Sequence, residues 1–244
     1  MKKMRQAVVI GVGPKRGLGA ALCMKFAAEG HHVYVSGRTR ARLNDIVSTV
    51  EATGGRASPV VADATREADV FRLFDLVGRD RDGRLDLAVY NVVVNAPGRI
   101  LEMPADYFES SWRTSCFGGF LFGRQAVRHM LPQGGTLIFT GASASLRGRS
   151  GFGAFNAAKA ALRSLAQAMA KEYGSVGIHV AHVVVDGGIH GDKVMNEMQE
   201  FAESRGEDGL LALDGLAEIY WQLYRQQPRS WTFELDVHTF KEPR

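Results

Sequence analysis

Three glycines near the start of the chain have the spacing of a phosphate-binding loop. Gly13, Gly17 and Gly19 follow a short apolar run and lead directly into a segment with helical periodicity. A phosphate group needs backbone without side chains in its way and the free N–H groups at the start of a helix, and such a loop supplies both. A tight turn that binds nothing would use the same residues. The position of the loop directly after the first predicted strand favours the binding site.

Cationic side chains stand where a nucleotide with an extra phosphate would need them. Lys15 and Arg16 lie within the glycine loop, and Arg38 follows the second predicted strand. A site for NAD has an acidic residue about 20 residues beyond the glycines to bind the ribose 2′-OH, whereas a site for NADP needs cations there. The second strand ends without an acid, in Ser36-Gly37-Arg38-Thr39-Arg40. One arginine alone could be an exposed, solvated charge, but three cations at these places favour NADP(H).

The segments that carry these residues alternate between short apolar runs and longer runs of helical period. The apolar runs are rich in β-branched residues, as buried parallel strands are, and cover residues 7–10, 33–35, 59–61, 85–89, 136–140 and 178–185. Helical stripes fall between them, for example at Leu18, Leu22 and Phe26. The pattern predicts an α/β fold, a Rossmann-type doubly wound parallel sheet, formed by residues 1–244 as a single nucleotide-binding domain.

The second half of the chain has the pattern of two long helices, followed by a segment with weaker periodicity. Residues 104–131 and 150–174 each predict one helix, and the second of these is rich in alanine. From 187 to 207 the periodicity weakens, which predicts a mobile segment on the substrate side. A helix near 214–225 and a last strand at 231–235 follow.

Composition and charge exclude several other classes of protein. The formal charge of +4 comes from 30 basic and 26 acidic residues without a long basic run, so nucleic acid is not an expected partner. Two cysteines, Cys23 and Cys116, fit a reducing compartment better than a disulfide framework. The first apolar run is too short for a signal peptide, and no stretch has the length of a transmembrane helix. We therefore expect a cytoplasmic protein without a membrane partner.

From residue 6 to about residue 190 the chain resembles the short-chain dehydrogenase/reductase family. The three glycines match the family's G-x-x-x-G-x-G loop, and Asp63 and Asn91 match its adenine-contacting aspartate and one asparagine of its N-N-A-G turn. Residues 95–98, Asn-Ala-Pro-Gly, imitate that turn, but their use would make the fourth strand too long. Residues 186–189, Asp-Gly-Gly-Ile, are similar to the family's P-G-x-I, whose backbone faces the nicotinamide. The resemblance implies a cofactor-binding set: Gly13, Lys15, Arg16, Gly17, Leu18, Gly19, Arg38, Asp63, Asn91, Lys159 and Ile189.

Most of the family's proton-handling residues are absent. Its Tyr-x-x-x-Lys pair corresponds to Phe155 and Lys159 on one helix face, and a phenyl ring cannot give or take a proton. The family's serine falls at Ala142 and its helix asparagine at Ser115. Ser143, next to Ala142, could take the serine's role, so Lys159 and Ser143 are the candidate catalytic residues. Each general acid–base group contributes roughly 10² to 10⁴ in rate, so we expect a weakened or non-standard mechanism.

Three functions remain open at this point. The first is an NADP(H)-dependent oxidoreductase that acts on a small-molecule carbonyl or alcohol with a non-standard proton donor. The second is a non-catalytic NADP(H)-binding protein that senses redox state or scaffolds a partner. The third is a degenerate domain that binds nothing, against which the intact glycines and Lys159 argue.

Two further expectations concern assembly and the histidines. The family resemblance implies a homodimer or homotetramer formed through the two long helices. Five of the seven histidines are scattered at strand and loop positions without a paired carboxylate, so we predict a structural role for them. These five are His31, His32, His179, His182 and His190.

Overall fold

Seven parallel strands form the centre of the molecule. The computed structural model describes residues 3–80, 83–95, 97–131 and 133–241. Within them the strand order is β3-β2-β1-β4-β5-β6-β7, and every neighbouring pair is parallel. The strands are β1 (Met4–Ile10), β2 (His32–Gly37), β3 (Arg56–Val61), β4 (Gly83–Tyr90), β5 (Gly135–Thr140), β6 (Ile178–Val185) and β7 (Glu234–Val237). The predicted α/β, doubly wound parallel sheet is confirmed.

Helices cover both faces of this sheet. In the described residues they are α1 (Leu18–Ala28), α2 (Arg40–Ala52), α3 (Glu67–Arg79), α4 (Ala105–Trp112), α5 (Gly118–Met130), α6 (Gly153–Tyr173), α7 (Asp192–Glu197), α8 (Gln199–Arg205) and α9 (Leu213–Tyr224). Helices α1, α2 and α9 pack on one face around Leu22 and Phe26. Helices α3, α5 and α6 pack on the other face around Phe74 and Phe139. Each such side chain contributes roughly 1.5–3 kcal/mol on burial, so both layers hold the sheet.

The strand order creates a crevice at the carboxyl ends of β1 and β4. Strand β1 pairs with β2 on one side and with β4 on the other, so the order of the sheet reverses at β1. Open α/β sheets bind ligands outside the carboxyl ends of their strands at such a switch point. The loops that follow β1, β4, β5 and β6 gather there, and they carry the residues that the sequence singled out.

Two predicted elements differ in the structure. The helix predicted at 104–131 is interrupted, because α4 and α5 are joined by a π-helical turn, Arg113–Phe117. The buried Tyr90 hydroxyl donates to Thr114 O from outside the helix, which satisfies a carbonyl of the widened turn. The last strand lies later than the predicted 231–235, because Trp231 stacks on His179 and pairing with β6 begins only at Glu234.

The segment predicted to be mobile, 187–207, contains the short helices α7 and α8. Its mobility and the extent of the domain over residues 1–244 stay predictions. Within the alternative turn at residues 95–98, Ala96 lies outside the described residues, and β4 ends at Tyr90. Of the helices that the structure describes, none combines the length and the apolar character needed to cross a membrane.

Candidate functional site

The glycine loop between β1 and α1 leaves the start of α1 open. Gly17 precedes the helix in an extended conformation, no side chain caps it, and the first turn of α1 holds no acidic residue. The N–H groups of that turn are therefore available to an anion. A Cβ at Gly13 would meet nothing within 4 Å, whereas a Cβ at Gly19 would lie 3.0 Å from Val12 Cα. Glycine thus leaves space on the ligand side and permits close packing of the helix on the other.

The three predicted cations surround this loop. Gly11 N and Val12 N donate to Ser36 O at 3.0 and 2.9 Å, which fixes the loop against the end of β2 and so brings Arg38 close to it. The side chains of Lys15, Arg16 and Arg38 are exposed. Among the described residues none of these side chains forms an ion pair. Their charges remain available for an anionic ligand.

Asn91 and Asp63 support the loops next to the crevice. Asn91 Nδ2 donates to Gly11 O at 3.3 Å, so this side chain ties the end of β4 to the glycine loop. One carboxylate oxygen of Asp63 accepts from Thr65 N at 2.9 Å and from Thr65 Oγ1 at 2.8 Å, which closes the turn after β3. Both residues therefore shape the cofactor side of the crevice, and their direct contact with a cofactor stays a prediction.

Asp186 is the first residue of the loop after β6 and forms a backbone hydrogen bond that proline could not form. Its backbone N–H donates to Val237 O at 2.8 Å and extends the pairing of β6 with β7, a bond for which proline has no donor. Its carboxylate accepts from Arg147 Nη2 at 2.9 and 3.2 Å, which ties the loop after β6 to the loop after β5. Arg147 is largely exposed, so this ion pair contributes little to stability but orients both loops.

The same loop then returns to the glycine loop. Ile189 is half-buried and forms a bridge with Leu211. Asp192 N donates to Arg16 O at 2.7 Å, and Arg16 N donates to Asp192 Oδ2 at 3.2 Å. These two bonds join residues on opposite sides of the crevice that are far apart in sequence, so the sequence pattern did not reveal them. The start of α7 therefore closes one side of the candidate cofactor site.

Phe155 and Lys159 lie one helical turn apart near the start of α6. Phe155 is 9% exposed and Lys159 is 2% exposed. Lys159 Nζ donates to Thr140 O at 2.8 Å, so the lysine reaches the last residue of β5. Burial lowers the pKa of Lys159 to about 8. The structure thus places a buried, readily titrated amine beside a residue without a hydroxyl.

The turn after β5 carries the predicted serine position. Residues Ser143–Ser145 form a 3₁₀ turn that begins after Ala142. Ser145 Oγ donates to Ala142 O at 2.6 Å and is buried, so this hydroxyl serves the turn itself. Ser143 is half-buried, and its hydroxyl has no hydrogen-bond partner within the described ranges. Ser143 is therefore the free hydroxyl of this turn.

Ser115 lies in the π-helical turn and is fully buried. Its hydroxyl and that of Ser111 have no hydrogen-bond partner among the described atoms. The π-helical turn packs against α6, the helix that carries Lys159. A buried hydroxyl without a partner is unfavourable. This region therefore holds two hydroxyl groups that could form hydrogen bonds but form none with the described residues.

The expectation that the histidines lack carboxylate partners is wrong for two buried ones. His31 Nε2 lies 3.0 Å from Asp86 Oδ1, and His182 Nδ1 lies 2.9 Å from Glu234 Oε2. Each partner is more than 50 residues away in sequence, and only the sheet brings the two together. Burial lowers the pKa of His182 to about 4. The imidazole is therefore neutral at pH 7 and lies close to the carboxyl end of β5.

No group of histidine, cysteine, aspartate or glutamate side chains in the described part of the chain could hold a metal ion. A doubly wound parallel sheet with a glycine-lined helix start at its switch point defines a dinucleotide-binding fold of the Rossmann type. The family model described as short chain dehydrogenase matches residues 6–200. The chain belongs to the short-chain dehydrogenase/reductase family of oxidoreductases, which use nicotinamide cofactors.

Solved structures and curated relatives agree with this membership. A short-chain dehydrogenase from Rhodopseudomonas palustris is 36% identical, with a TM-score of 0.80 over 96% of this chain and 98% of that chain. The uncharacterized oxidoreductase YuxG of Bacillus subtilis is 31% identical over 222 residues, which are 87% of this chain and 31% of that protein. Dehydrogenase/reductase SDR family member 1 of Mus musculus is 30% identical over 55% of this chain and 45% of that protein. The chain thus spans less than half the length of these two relatives.

Proposed function

We propose that this chain is an NADP(H)-dependent oxidoreductase that acts on a small-molecule carbonyl or alcohol through a weakened, non-standard proton transfer. The observation that carries the proposal is the uncapped start of α1 at Gly17, surrounded by the unpaired cations Lys15, Arg16 and Arg38. An anion is the ligand that such a helix start favours. The absence of a phenol at Phe155 accounts for the weakened chemistry.

The residues present fit a dinucleotide. The backbone of Gly13, Gly17, Leu18 and Gly19 would hold the pyrophosphate, and a Cβ at position 17 would lie only 3.1 Å from Pro14 O. The loop therefore accepts little besides glycine there. Asp63 and Asn91 would border the adenine side, Ile189 would face the nicotinamide, and Lys159 would bind its ribose. When bound, the nicotinamide supplies a hydride to a carbonyl carbon or accepts one from an alcohol.

The preference for the 2′-phosphate rests on charge. Arg38 is exposed at the end of β2, and no acidic residue occupies the position that would bind a ribose 2′-OH. Arginine binds phosphate through paired N–H donors, and Lys15 and Arg16 add charge from the adjacent loop. An additional phosphate on the ligand is therefore favoured at this place, because NADH would bring only its pyrophosphate to the three cations.

The substrate side offers one free hydroxyl and one amine. Ser143 would polarise the substrate carbonyl in place of the missing serine at Ala142, because its hydroxyl has no other partner among the described residues. Lys159 remains near the reacting groups through its bond to Thr140 O. The family's relay asparagine is absent at Ser115, so proton supply is the step that we expect to limit the rate.

A non-catalytic NADP(H)-binding protein, acting as a sensor or scaffold, is the second candidate. It is favoured by one observation, the burial of a phenyl ring at Phe155 where the family has its general acid. Both candidates keep the cofactor, and they differ in whether bound NADPH is consumed.

We also propose a homodimer or homotetramer that uses the long helices. The α4–α5 unit carries large apolar side chains that remain partly exposed, namely Phe108 (42%), Trp112 (40%) and Phe120 (39%). Large apolar side chains that stay exposed on neighbouring helices are typical of an interface. Light scattering coupled to size exclusion would measure the assembly, and a monomer at micromolar concentration would contradict it.

The function is tested by NADPH oxidation against a panel of small ketones and aldehydes. We expect consumption of NADPH at less than about 1 per second, below the ordinary range of enzymes. Gly13→Asp should abolish it, because the added carboxylate enters the phosphate site. Gly174→Asp is the matched control, since a Cβ at either glycine meets nothing within 4 Å and Gly174 lies at the far end of α6. Tight NADPH binding without any oxidation would favour the second candidate.

A further inference from the structure

Lys159 is buried with more proton donors than partners. Its side chain is 2% exposed, and Thr140 O is its single hydrogen-bond partner among the described residues. An ammonium group carries three N–H donors, so two of them have no protein acceptor. Burial of unpaired donors is costly, and a ligand at this position would offset that cost.

His182 interacts with this amine but has no proton to give from its unpartnered nitrogen. The Nδ1 of His182 pairs with Glu234, and Glu234 in turn accepts from Arg163 Nε and Nη2 at 2.6 and 2.7 Å. The Nε2 of His182 has no partner among the described atoms and faces Gly141, where an added Cβ would clash with it. Because burial holds the pKa of His182 near 4, this nitrogen carries a lone pair at pH 7. His182 is therefore an acceptor next to the turn after β5.

The two buried phenols on either side of β5 are equally unsuited. Tyr220 OH lies 2.8 Å from Thr140 Oγ1, and burial raises its pKa far above neutrality. Tyr90 OH donates to Thr114 O, and burial raises its pKa as well. Both hydroxyls already have a hydrogen-bond partner within the protein, whereas Lys159 keeps N–H donors without one. They cannot replace the phenol that is missing at Phe155.

We propose that Lys159 is itself the acid–base residue of this chain and exchanges a proton directly with the substrate oxygen. The inference deepens the proposed function and rests on it. In reduction, a C–H bond of the reduced nicotinamide breaks and its hydride forms the new C–H bond of the substrate, so the cofactor is oxidised and the carbonyl is reduced. A Lys159 N–H bond breaks as the alcohol O–H bond forms. The N–H electron pair stays on Nζ as a neutral amine, and water returns the proton. Alcohol oxidation runs the same steps in reverse, with the amine as base.

The charges around Lys159 suit this role. Arg163 on α6 and Glu234 on β7 neutralise each other, and His182 on β6 is neutral at pH 7. The main influence on the amine is burial, which lowers its pKa to about 8. A general acid works best with a pKa close to the working pH. Reduction should therefore proceed fully below pH 8 and decline above it, while alcohol oxidation should rise across the same range.

Lys159→Arg separates proton transfer from ribose binding. Arginine keeps the charge and the donors but does not lose a proton in this pH range. We expect NADPH affinity within about threefold of wild type and a single-turnover reduction slower by at least about 10², the low end for one general acid. Lys171→Arg on the exposed end of the same helix is the matched control and should change neither.

Two further measurements guard against a variant that is merely misfolded. Primary amines added to Lys159→Ala should restore turnover in proportion to their acid strength, whereas guanidinium should not. In the cofactor-free protein, NMR of ¹³C-labelled lysine should show one ε-carbon that titrates near pH 8 and disappears in Lys159→Arg.

Three results would each overturn this inference and leave the proposed function standing. They are a normal titration for every lysine, a Lys159→Arg variant as fast as wild type, and loss of turnover in a His190→Gln variant. A wild-type protein that binds NADPH but oxidises none with any carbonyl would overturn the proposed function and this inference together.

Discussion

Restoring the family's proton-handling residues should raise the activity of this chain. The variant combines Phe155→Tyr, Ala142→Ser and Ser115→Asn. Position 155 shares a helix face with Lys159, so the new phenol would gain an adjacent ammonium that lowers its pKa. The asparagine would enter the π-helical turn, where the hydroxyl of Ser115 now has no partner among the described atoms. The three changes therefore rebuild one connected site.

The expected gain is at least about 10² in the single-turnover rate of carbonyl reduction, the low end for one positioned general acid. Phe155→Tyr alone should gain less than about tenfold, because the phenol would lack the serine and asparagine that position substrate and water. The assay is NADPH oxidation against the same ketones and aldehydes. Phe71→Tyr is the control, since this phenylalanine is 55% exposed on α3, away from α6.

Two results would refute this reasoning. A wild-type rate in the ordinary range of about 1 to 10³ per second would mean that the missing groups do not limit the reaction. A triple variant that stays folded and binds NADPH but remains inert would mean that the substrate pocket, and not the proton-handling set, accounts for the loss.

Three further predictions concern charge and stability. Arg38→Ala should weaken NADPH binding about tenfold, or about 1.4 kcal/mol, and leave NADH binding unchanged in calorimetric titration. Asp86→Ala should lower the free energy of unfolding in urea by roughly 3 kcal/mol, because buried Asp86 accepts from His31 and Tyr224 at 3.0 Å each. Lys159 has a pKa of about 8 in the folded chain against 10.5 unfolded, so the unfolded state binds more protons between these values. The free energy of unfolding, relative to Lys159→Met, should therefore rise with pH across this window, by at most about 3 kcal/mol at 1.4 per pH unit.

A separate result would contradict each of these predictions. Equal loss of NADH and NADPH affinity in Arg38→Ala would remove the 2′-phosphate assignment. A stability change in Asp86→Ala no larger than in Asp45→Ala, an exposed site on α2, would show that the buried network contributes little. A wild-type stability that falls relative to Lys159→Met above pH 8 would reverse the sign of the linkage.

Local periodicity predicted the fold well because the five central strands, β1, β2, β4, β5 and β6, are almost entirely buried. The eight residues of β6 are all buried, and its bounds agree with the predicted 178–185. The glycine loop was equally readable, because its spacing is a local pattern: Gly13 leaves space for a ligand, and a Cβ at Gly17 or Gly19 would lie within 3.1 Å of the backbone. The spacing of four residues also placed Phe155 and Lys159 on one face of α6.

The rest of the site depends on contacts that local pattern does not encode. The bonds between Arg16 and Asp192, and the His182–Glu234 pair, join residues that only the finished sheet brings together. The π-helical turn at Ser115 is stabilised by a hydrogen bond from Tyr90 on β4 to Thr114 O. Because this contact is distant in sequence, periodicity alone predicted an unbroken helix.

The most direct test of this account is calorimetric titration of the wild-type chain with NADPH and with NADH under identical conditions. We expect one site per chain for NADPH, bound at least about tenfold more tightly than NADH. Equal affinities for the two nucleotides, or no binding of either by the folded chain, would contradict it.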